Sequence, residues 1–83
     1  MIQNGPPHFE GIAGIEYHSS SHGPDVPMIQ GTRIPVTVVL DNLAEGLPVQ
    51  ELLASYPTLT HQDVLAALQY ASTVIKYLEG EYA

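Results

Sequence analysis

Apolar residues recur at intervals of three and four over most of the chain after residue 32, which is the spacing of one face of an α-helix. The first such segment begins at Pro35, whose fixed φ suits a first helical turn, and ends near Gly46. A second, short segment over 49 to 55 is bounded by Pro48 and Pro57. The pattern therefore predicts two helices before residue 60.

A third, longer helix is predicted to begin after Thr60, which with Asp63 resembles a capping box. No breaker follows before Gly80, so this helix should make about five turns. One apolar stripe runs along it: Val64, Leu65, Leu68, Ala71, Ser72, Ile75 and Leu78. The spacing on the three helices predicts a shared core of Val39, Leu40, Leu43, Leu52, Leu53, Val64, Leu65, Leu68 and Ile75. Leu68→Ala is accordingly expected to destabilise the fold.

Residues 1 to 31 have little periodicity and are rich in Gly, Pro and Ser, which predicts a loop-rich arm ahead of a helical domain over 32 to 83. Within the arm, alternation over 14 to 18 and the segment 27 to 30 suggest a short β-hairpin. The expected fold is mainly α, with three helices. Residues 1 to 25 are expected to be dispensable for it, because such loops gain little burial.

Charge limits the partners, because Arg33 and Lys76 are the only Lys or Arg residues against nine carboxylates, a formal net charge of −7. DNA-binding proteins commonly neutralise about 6 to 10 phosphates, so duplex DNA is expected to bind only weakly or in a complex. A basic protein is the better match. The sequence has no cysteine, no apolar run that could span a membrane and no secretory signal at its start, so a cytoplasmic location is expected.

Several segments, in this order, resemble the domain-of-unknown-function family 433. They are Gly31-Thr32-Arg33-Ile34-Pro35-Val36, Leu43-Ala44-Glu45-Gly46, Glu51-Leu52-Leu53, Tyr56-Pro57-Thr58-Leu59-Thr60 and residues 63 to 71. The resemblance implies a three-helix, helix-turn-helix-like fold and an antitoxin whose partner is a small nuclease toxin of the PIN type. The chain departs from the family pattern in its longer N-terminal arm and in Pro48, which stands where a hydroxyl cap is common.

Two histidines of the arm, His18 and His22, lie near Glu16 and Asp25 and offer the donor types of a zinc or nickel site. A loop fixes no geometry for that spacing, so histidines that face water are the favoured interpretation, and His8 falls under it too. No metal or cofactor is predicted. Catalysis is not expected either, because the helical segments carry no nucleophile beside an imidazole with an orienting third group.

In a helix-turn-helix the early residues of the second helix of the pair enter the major groove, which here points to His61, Gln62 and Gln69. The two glutamines have side chains that read adenine edges. Asp63 stands among these residues, and no Lys or Arg precedes Lys76 on the helix. A cap and an ordinary solvent-facing helix surface are therefore favoured over DNA readout.

Five residues are candidates for contact with a protein partner: Arg33, Tyr70, Tyr77, Leu78 and Tyr82. Arg33 is expected to pair with an internal carboxylate or with backbone carbonyls, the alternative being an external ligand. Tyr70 and Tyr77 share a side of the third helix, and aromatic residues are enriched at interfaces. Coverage of the core by Tyr70 is an equal alternative.

The leading hypothesis is a non-enzymatic antitoxin, a homodimer that binds a basic PIN-like nuclease. The alternative is a helix-turn-helix transcriptional regulator that binds DNA alone. Charge favours the first, and the order of the helices alone favours the second.

Overall fold

The computed structural model describes Phe9 and residues 12–80. Over this part the chain is mainly helical, with a two-stranded hairpin followed by three helices. The elements are β1 (Ile15–His18), β2 (Val26–Ile29), α1 (Val36–Ala44), α2 (Val49–Ser55) and α3 (His61–Leu78). The predicted hairpin and the three predicted helices are confirmed. Within the described part, no helix has the length and apolarity needed to cross a bilayer.

The hairpin is antiparallel, with Ile15 opposite Ile29 and His18 opposite Val26. Just before β1, the Gly14 carbonyl accepts a hydrogen bond of 2.8 Å from the Gln30 amide, which closes the open end of the ladder. Ile29 is completely buried. The hairpin therefore packs against the helices and contributes to the core.

A tight turn over 30 to 34 carries the chain from β2 into α1. The Thr32 hydroxyl donates to the Ile29 carbonyl at 2.8 Å and accepts from the Ile34 amide at 3.0 Å. Gly31 has a φ of +79°, a conformation that residues with a side chain rarely adopt. The Gly-Thr pair of the sequence motif thus supplies the geometry of this turn.

The ends of α1 and α2 follow the breakers in the sequence. At the end of α1, Gly46 has a φ of +93° and donates to the Leu43 carbonyl, while the Leu47 amide donates to the Asn42 carbonyl. These two bonds form a Schellman motif, which satisfies carbonyls at the helix terminus. Pro48 occupies the N-cap of α2 and provides no side-chain cap, as its lack of a hydroxyl dictates.

The capping box predicted for α3 is confirmed. The Thr60 amide donates to the Asp63 carboxylate at 2.9 Å, and the Asp63 amide donates to the Thr60 hydroxyl at 3.2 Å. The helix then runs without interruption for 18 residues.

The core lies between the hairpin and the three helices. Its buried members are Ile29, Val36, Val39, Leu52, Leu59, Val64, Ala67 and Tyr70. Val39, Leu52 and Val64 are among the predicted core residues, and Leu40, Leu43 and Leu53 pack against it while partly buried. Ile29 and Leu59 lie outside the helices, where helical spacing gives no signal.

The predicted core contribution of α3 is wrong in three places. Leu65, Leu68 and Ile75 are 46%, 47% and 54% exposed. The helix instead turns Val64, Ala67 and Tyr70 inward, because a small alanine permits close approach to the neighbouring elements and a tyrosine fills the remaining space. The expected strong effect of Leu68→Ala on folding therefore has no basis in the monomer.

The expectation that residues 1 to 25 are dispensable also disagrees with the structure. Phe9, Ile12, Ile15 and Tyr17 all pack against the core, and β1 provides half of the hairpin. The apolar residues of this segment are few, but they cover Tyr70 and neighbouring helix surface. Removal of the segment would expose part of the core.

We expect Leu52→Ala to lower the free energy of unfolding by about 2 to 5 kcal/mol, since Leu52 is completely buried. Leu78→Ala is the matched control: this leucine is 74% exposed, so its loss should change stability by less than about 0.5 kcal/mol. Urea denaturation of both variants measures the difference. Equal effects of the two substitutions would contradict the assigned core.

Candidate functional site

The most distinctive surface of the described chain is one side of α3, here termed the outer face. It consists of His61, Leu65, Leu68, Ser72 and Ile75, all exposed. These positions lie at intervals of four and three, so their side chains form one continuous row. Aliphatic residues occupy three of the five positions, each close to half exposed. Large apolar side chains aligned in this way mark interaction surfaces.

The opposite side of α3 explains why the outer face is left open. Val64, Ala67 and Tyr70 are buried, and Val74 packs against the core. The loop before β1 approaches this side closely: a Cβ placed on Gly14 would lie 3.0 Å from the Cβ of Ala66. Gly14 also has a φ of +88°, so both space and backbone require glycine there. This packing fixes the rotation of α3 about its axis.

Tyr70 is the centre of an aromatic cluster under the hairpin. Its ring lies 6.3 Å from that of Tyr17 and 6.1 Å from that of Phe9, both edge to face. The Tyr17 hydroxyl accepts a hydrogen bond of 2.8 Å from the Phe9 amide. Burial raises the pKa of Tyr70 far above its usual range, and the hydrogen bond with Tyr17 adds to the shift. Tyr70 therefore stays neutral in the folded protein well into the alkaline range.

The outer face is almost free of charge, although the whole chain carries −7. On α3 no carboxylate occurs between Asp63 and the C-cap residue Glu79, and Lys76 is the only cation. Carboxylates on other elements, such as Asp41, Glu45 and Glu51, are exposed. The surface is therefore divided between an apolar helix face and acidic regions elsewhere.

The helix residues that were predicted to contact a partner differ in their exposure to solvent. Tyr70 is 7% exposed, so it covers the core, which is the alternative that the sequence left open. Tyr77 is 42% exposed and shares the side of Tyr70, with the Phe9 ring 5.5 Å away. Leu78 is largely exposed beyond the core. Tyr82 lies outside the described residues.

Arg33 is exposed, and no hydrogen bond or ion pair joins its side chain to the described residues. The expected pairing with an internal carboxylate or with backbone carbonyls is therefore wrong over this part of the chain. Arg33 lies in the turn that the Thr32 hydroxyl closes, and the local carbonyl and amide in that turn already have Thr32 as their partner. Within the described part of the chain, Arg33 therefore has no anionic partner.

The candidate DNA-reading residues His61, Gln62 and Gln69 are all exposed along α3. The Gln69 amide donates a hydrogen bond of 3.3 Å to the Thr73 hydroxyl. Leu65 and Leu68 lie among these residues on the surface. A helix face entering a major groove at this point would present aliphatic side chains together with the polar ones.

The histidines of the N-terminal segment are not assembled into a site in the described part. The His18 imidazole lies 2.6 Å from the Glu16 carboxylate, which gives it a partner within β1. His22 and Asp25 are exposed. Within Phe9 and 12–80, no three His, Asp or Glu side chains are grouped closely enough to hold a metal ion. His8 lies outside the described residues.

Comparison with known proteins bears directly on the motif around Gly31 and Thr32. The family model described as protein of unknown function DUF433 matches residues 26–71. The chain belongs to this family. No match was found among curated proteins or among solved structures.

The DUF433 segment begins with β2 and ends within α3. It contains the turn built by Gly31 and Thr32, the exposed Arg33 and the first half of the outer face. It stops before Ile75, Tyr77 and Leu78 and does not include β1. The last turns of α3 and the aromatic cover from Tyr17 therefore belong to the region outside the family match.

Because Tyr70 stays neutral in the folded protein, the free energy of unfolding depends on pH in the alkaline range. Its pKa is raised in the folded protein, so above the ordinary tyrosine value only the unfolded chain loses the proton, and stability falls as pH rises. The stabilisation that follows from the raised pKa is fully present below about pH 10. Above that pH, the free energy of unfolding falls by up to about 1.4 kcal/mol per pH unit. Tyr70→Phe should flatten this decline. Urea denaturation between about pH 8 and about pH 11 measures it, and parallel declines in the two proteins would refute the assignment.

Proposed function

We propose that this DUF433 protein is a non-enzymatic protein-binding module, the antitoxin of a toxin–antitoxin pair, whose partner is a basic nuclease of the PIN type. The observation that carries the proposal is its charge: nine carboxylates face two permanent cations. Such a field attracts a basic protein and repels a polyanion. The resemblance to antitoxin-like members of the family supplies the class of partner.

The acidic groups available for such a partner are on the surface. Asp41 and Glu45 lie four residues apart on α1 and its C-cap, so they are neighbours on one side of the helix. Both are exposed, and α1 has no basic residue in its last turn. The negative end of the helix dipole adds to their field. This end of α1 favours a cationic protein surface.

The lack of an assembled catalytic group supports a binding role. In the described part, His18 is paired with Glu16 on the half-buried strand β1, and His61 is the first residue of α3 on the open outer face. Among the described residues, neither imidazole forms a hydrogen bond with a Ser, Thr or Tyr hydroxyl. Acid–base or nucleophilic catalysis needs such an arrangement on a rigid frame.

The second candidate function is a helix-turn-helix regulator that binds DNA. It is supported by the exposure of Gln62 and Gln69 on α3, which follows the short α2 after five residues. Phosphate anchoring is its weakness, because Lys76 and Arg33 are the only permanent cations of the chain. The aliphatic row between the glutamines is a poor match for phosphate and sugar. The protein-binding role is therefore preferred.

The reading frame beside this gene is expected to encode a small basic nuclease of the PIN type, whose activity the chain suppresses on co-expression.

Asp41→Asn combined with Glu45→Gln should slow association with that nuclease by about tenfold at low salt, because attraction between opposite charges raises the encounter rate. Asp41→Glu with Glu45→Asp is the charge-preserving control. Stopped-flow or surface plasmon resonance gives the rates. A nuclease whose activity is unchanged by the chain would refute the antitoxin role.

Duplex DNA tests the second candidate. The isolated protein is expected to bind DNA of any sequence only weakly at physiological salt, since it has too few cations for the usual counterion release. Fluorescence anisotropy with a promoter fragment from its own gene and with a scrambled duplex provides the comparison. Tight binding of the promoter alone, lost in Gln62→Ala with Gln69→Ala, would reverse the order of the two candidates.

A further inference from the structure

We propose that the outer face of α3 binds the outer face of a second copy of this chain, with the two helices antiparallel. This deepens the proposed function, because it assigns the apolar surface to self-association and leaves the acidic end of α1 for the basic partner. The dimer and the nuclease complex are measured separately, so failure of one is distinguishable from failure of the other.

The first argument is the spacing along the helix. The outer face runs from His61 through Leu65, Leu68, Ser72 and Ile75, and the C-cap residue Glu79 continues the same row beyond it, at intervals of four and three throughout. This is the period of about 3.5 residues that keeps one helix in register with another along their whole length. The row extends from the first residue of α3 to its C-cap. A helix of matching length is therefore the shape that it fits.

The second argument is charge, which selects both the occupant and its direction. In an antiparallel pair with the two-fold axis at the level of residue 70, Leu65 lies opposite Ile75 of the other copy and Leu68 opposite Ser72. The same alignment brings His61 opposite Glu79 at each end, where an imidazole can donate a hydrogen bond to a carboxylate. A single apolar helix thereby complements itself.

A parallel pair lacks this complementarity. It places the two Glu79 carboxylates at one level at the end of the row, so like charges face each other there. The antiparallel pair places Lys76 near Gln62, which is neutral. The same residues therefore favour one orientation over the other.

The third argument concerns the rest of the chain. Each copy carries −7, so association across most of its surface would bring carboxylates together. The five residues of the outer face include no carboxylate, and none occurs on α3 between Asp63 and Glu79. Burial of Leu65, Leu68 and Ile75, each about half exposed, supplies apolar area at the contact.

The pair has a consequence for DNA. His61 lies within the outer face, and Gln62 and Gln69 flank it. In the dimer these side chains line the contact between the copies, so this side of α3 cannot lie in a major groove. Self-association and DNA readout by α3 are alternatives for one surface.

Analytical ultracentrifugation of the full-length chain over a concentration series tests the dimer. Leu68→Glu should raise the dimer dissociation constant by at least about tenfold, because it places a charge in the apolar row. Ala54→Glu is the matched control, since Ala54 is exposed on α2 away from this row. Both variants should keep the helical circular dichroism of the parent, because both positions are exposed in the monomer.

Orientation is tested by cross-linking, for which the absence of cysteine from the sequence is an advantage. Chains with His61→Cys are mixed with chains with Glu79→Cys and oxidised. The antiparallel pair should give the disulfide between positions 61 and 79 in preference to either symmetric disulfide. Dominant links between two copies of position 79 would overturn the antiparallel arrangement.

Two results would overturn the proposal as a whole. One is a parent chain that remains monomeric at its highest soluble concentration. In that case, nuclease binding that is lost in Leu68→Glu would assign the face to the nuclease and leave the proposed function standing. The other is a dimer whose dissociation constant is the same in Leu68→Glu and Ala54→Glu.

Discussion

The burial of Tyr70 beneath the hairpin is the contact on which the rest of this structure depends. It holds the aromatic rings of Phe9 and Tyr17 over α3, and the close approach of Gly14 to Ala66 leaves the helix little freedom to rotate. With α3 fixed in this way, one of its two apolar stripes packs into the core and the other is exposed to solvent. A small chain buries a limited fraction of its area, so a long helix with apolar residues on two sides must expose one of them.

That division organises the molecule chemically. Asp41, Glu45 and Glu51 are exposed on α1, its C-cap and α2, while the outer face of α3 is largely aliphatic and carries no carboxylate. An acidic surface attracts a basic partner at long range. An aliphatic surface instead stabilises a contact that has already formed, because its burial removes apolar area from water. An antitoxin that dimerises and then captures a basic nuclease would use both. We therefore regard self-association and partner binding as tasks of different faces.

Local signals in the sequence were sufficient to predict most of the elements. Pro48 and Pro57 bound α2, the Thr60–Asp63 pair begins α3, and Gly46 terminates α1. The side of α3 that faces the core could not be predicted, because helical periodicity reveals an apolar stripe but not what covers it. Leu65, Leu68 and Ile75 form the more hydrophobic stripe, yet Ala67 and Tyr70 fit the space under the hairpin. The exposure of Arg33 could not be predicted either, because it depends on the turn that the Thr32 hydroxyl closes and on which carboxylates the fold brings near.

The rotation of α3 is the central claim of this account, and methyl NMR with a water-soluble paramagnetic agent tests it most directly. In a sample dilute enough to be monomeric, the methyl signals of Leu65, Leu68 and Ile75 should broaden strongly. Those of Val64 and Ala67, at 2% and 0% exposure, should be protected. Protection of the three outer residues in the monomer, with broadening of Val64 and Ala67, would contradict the account.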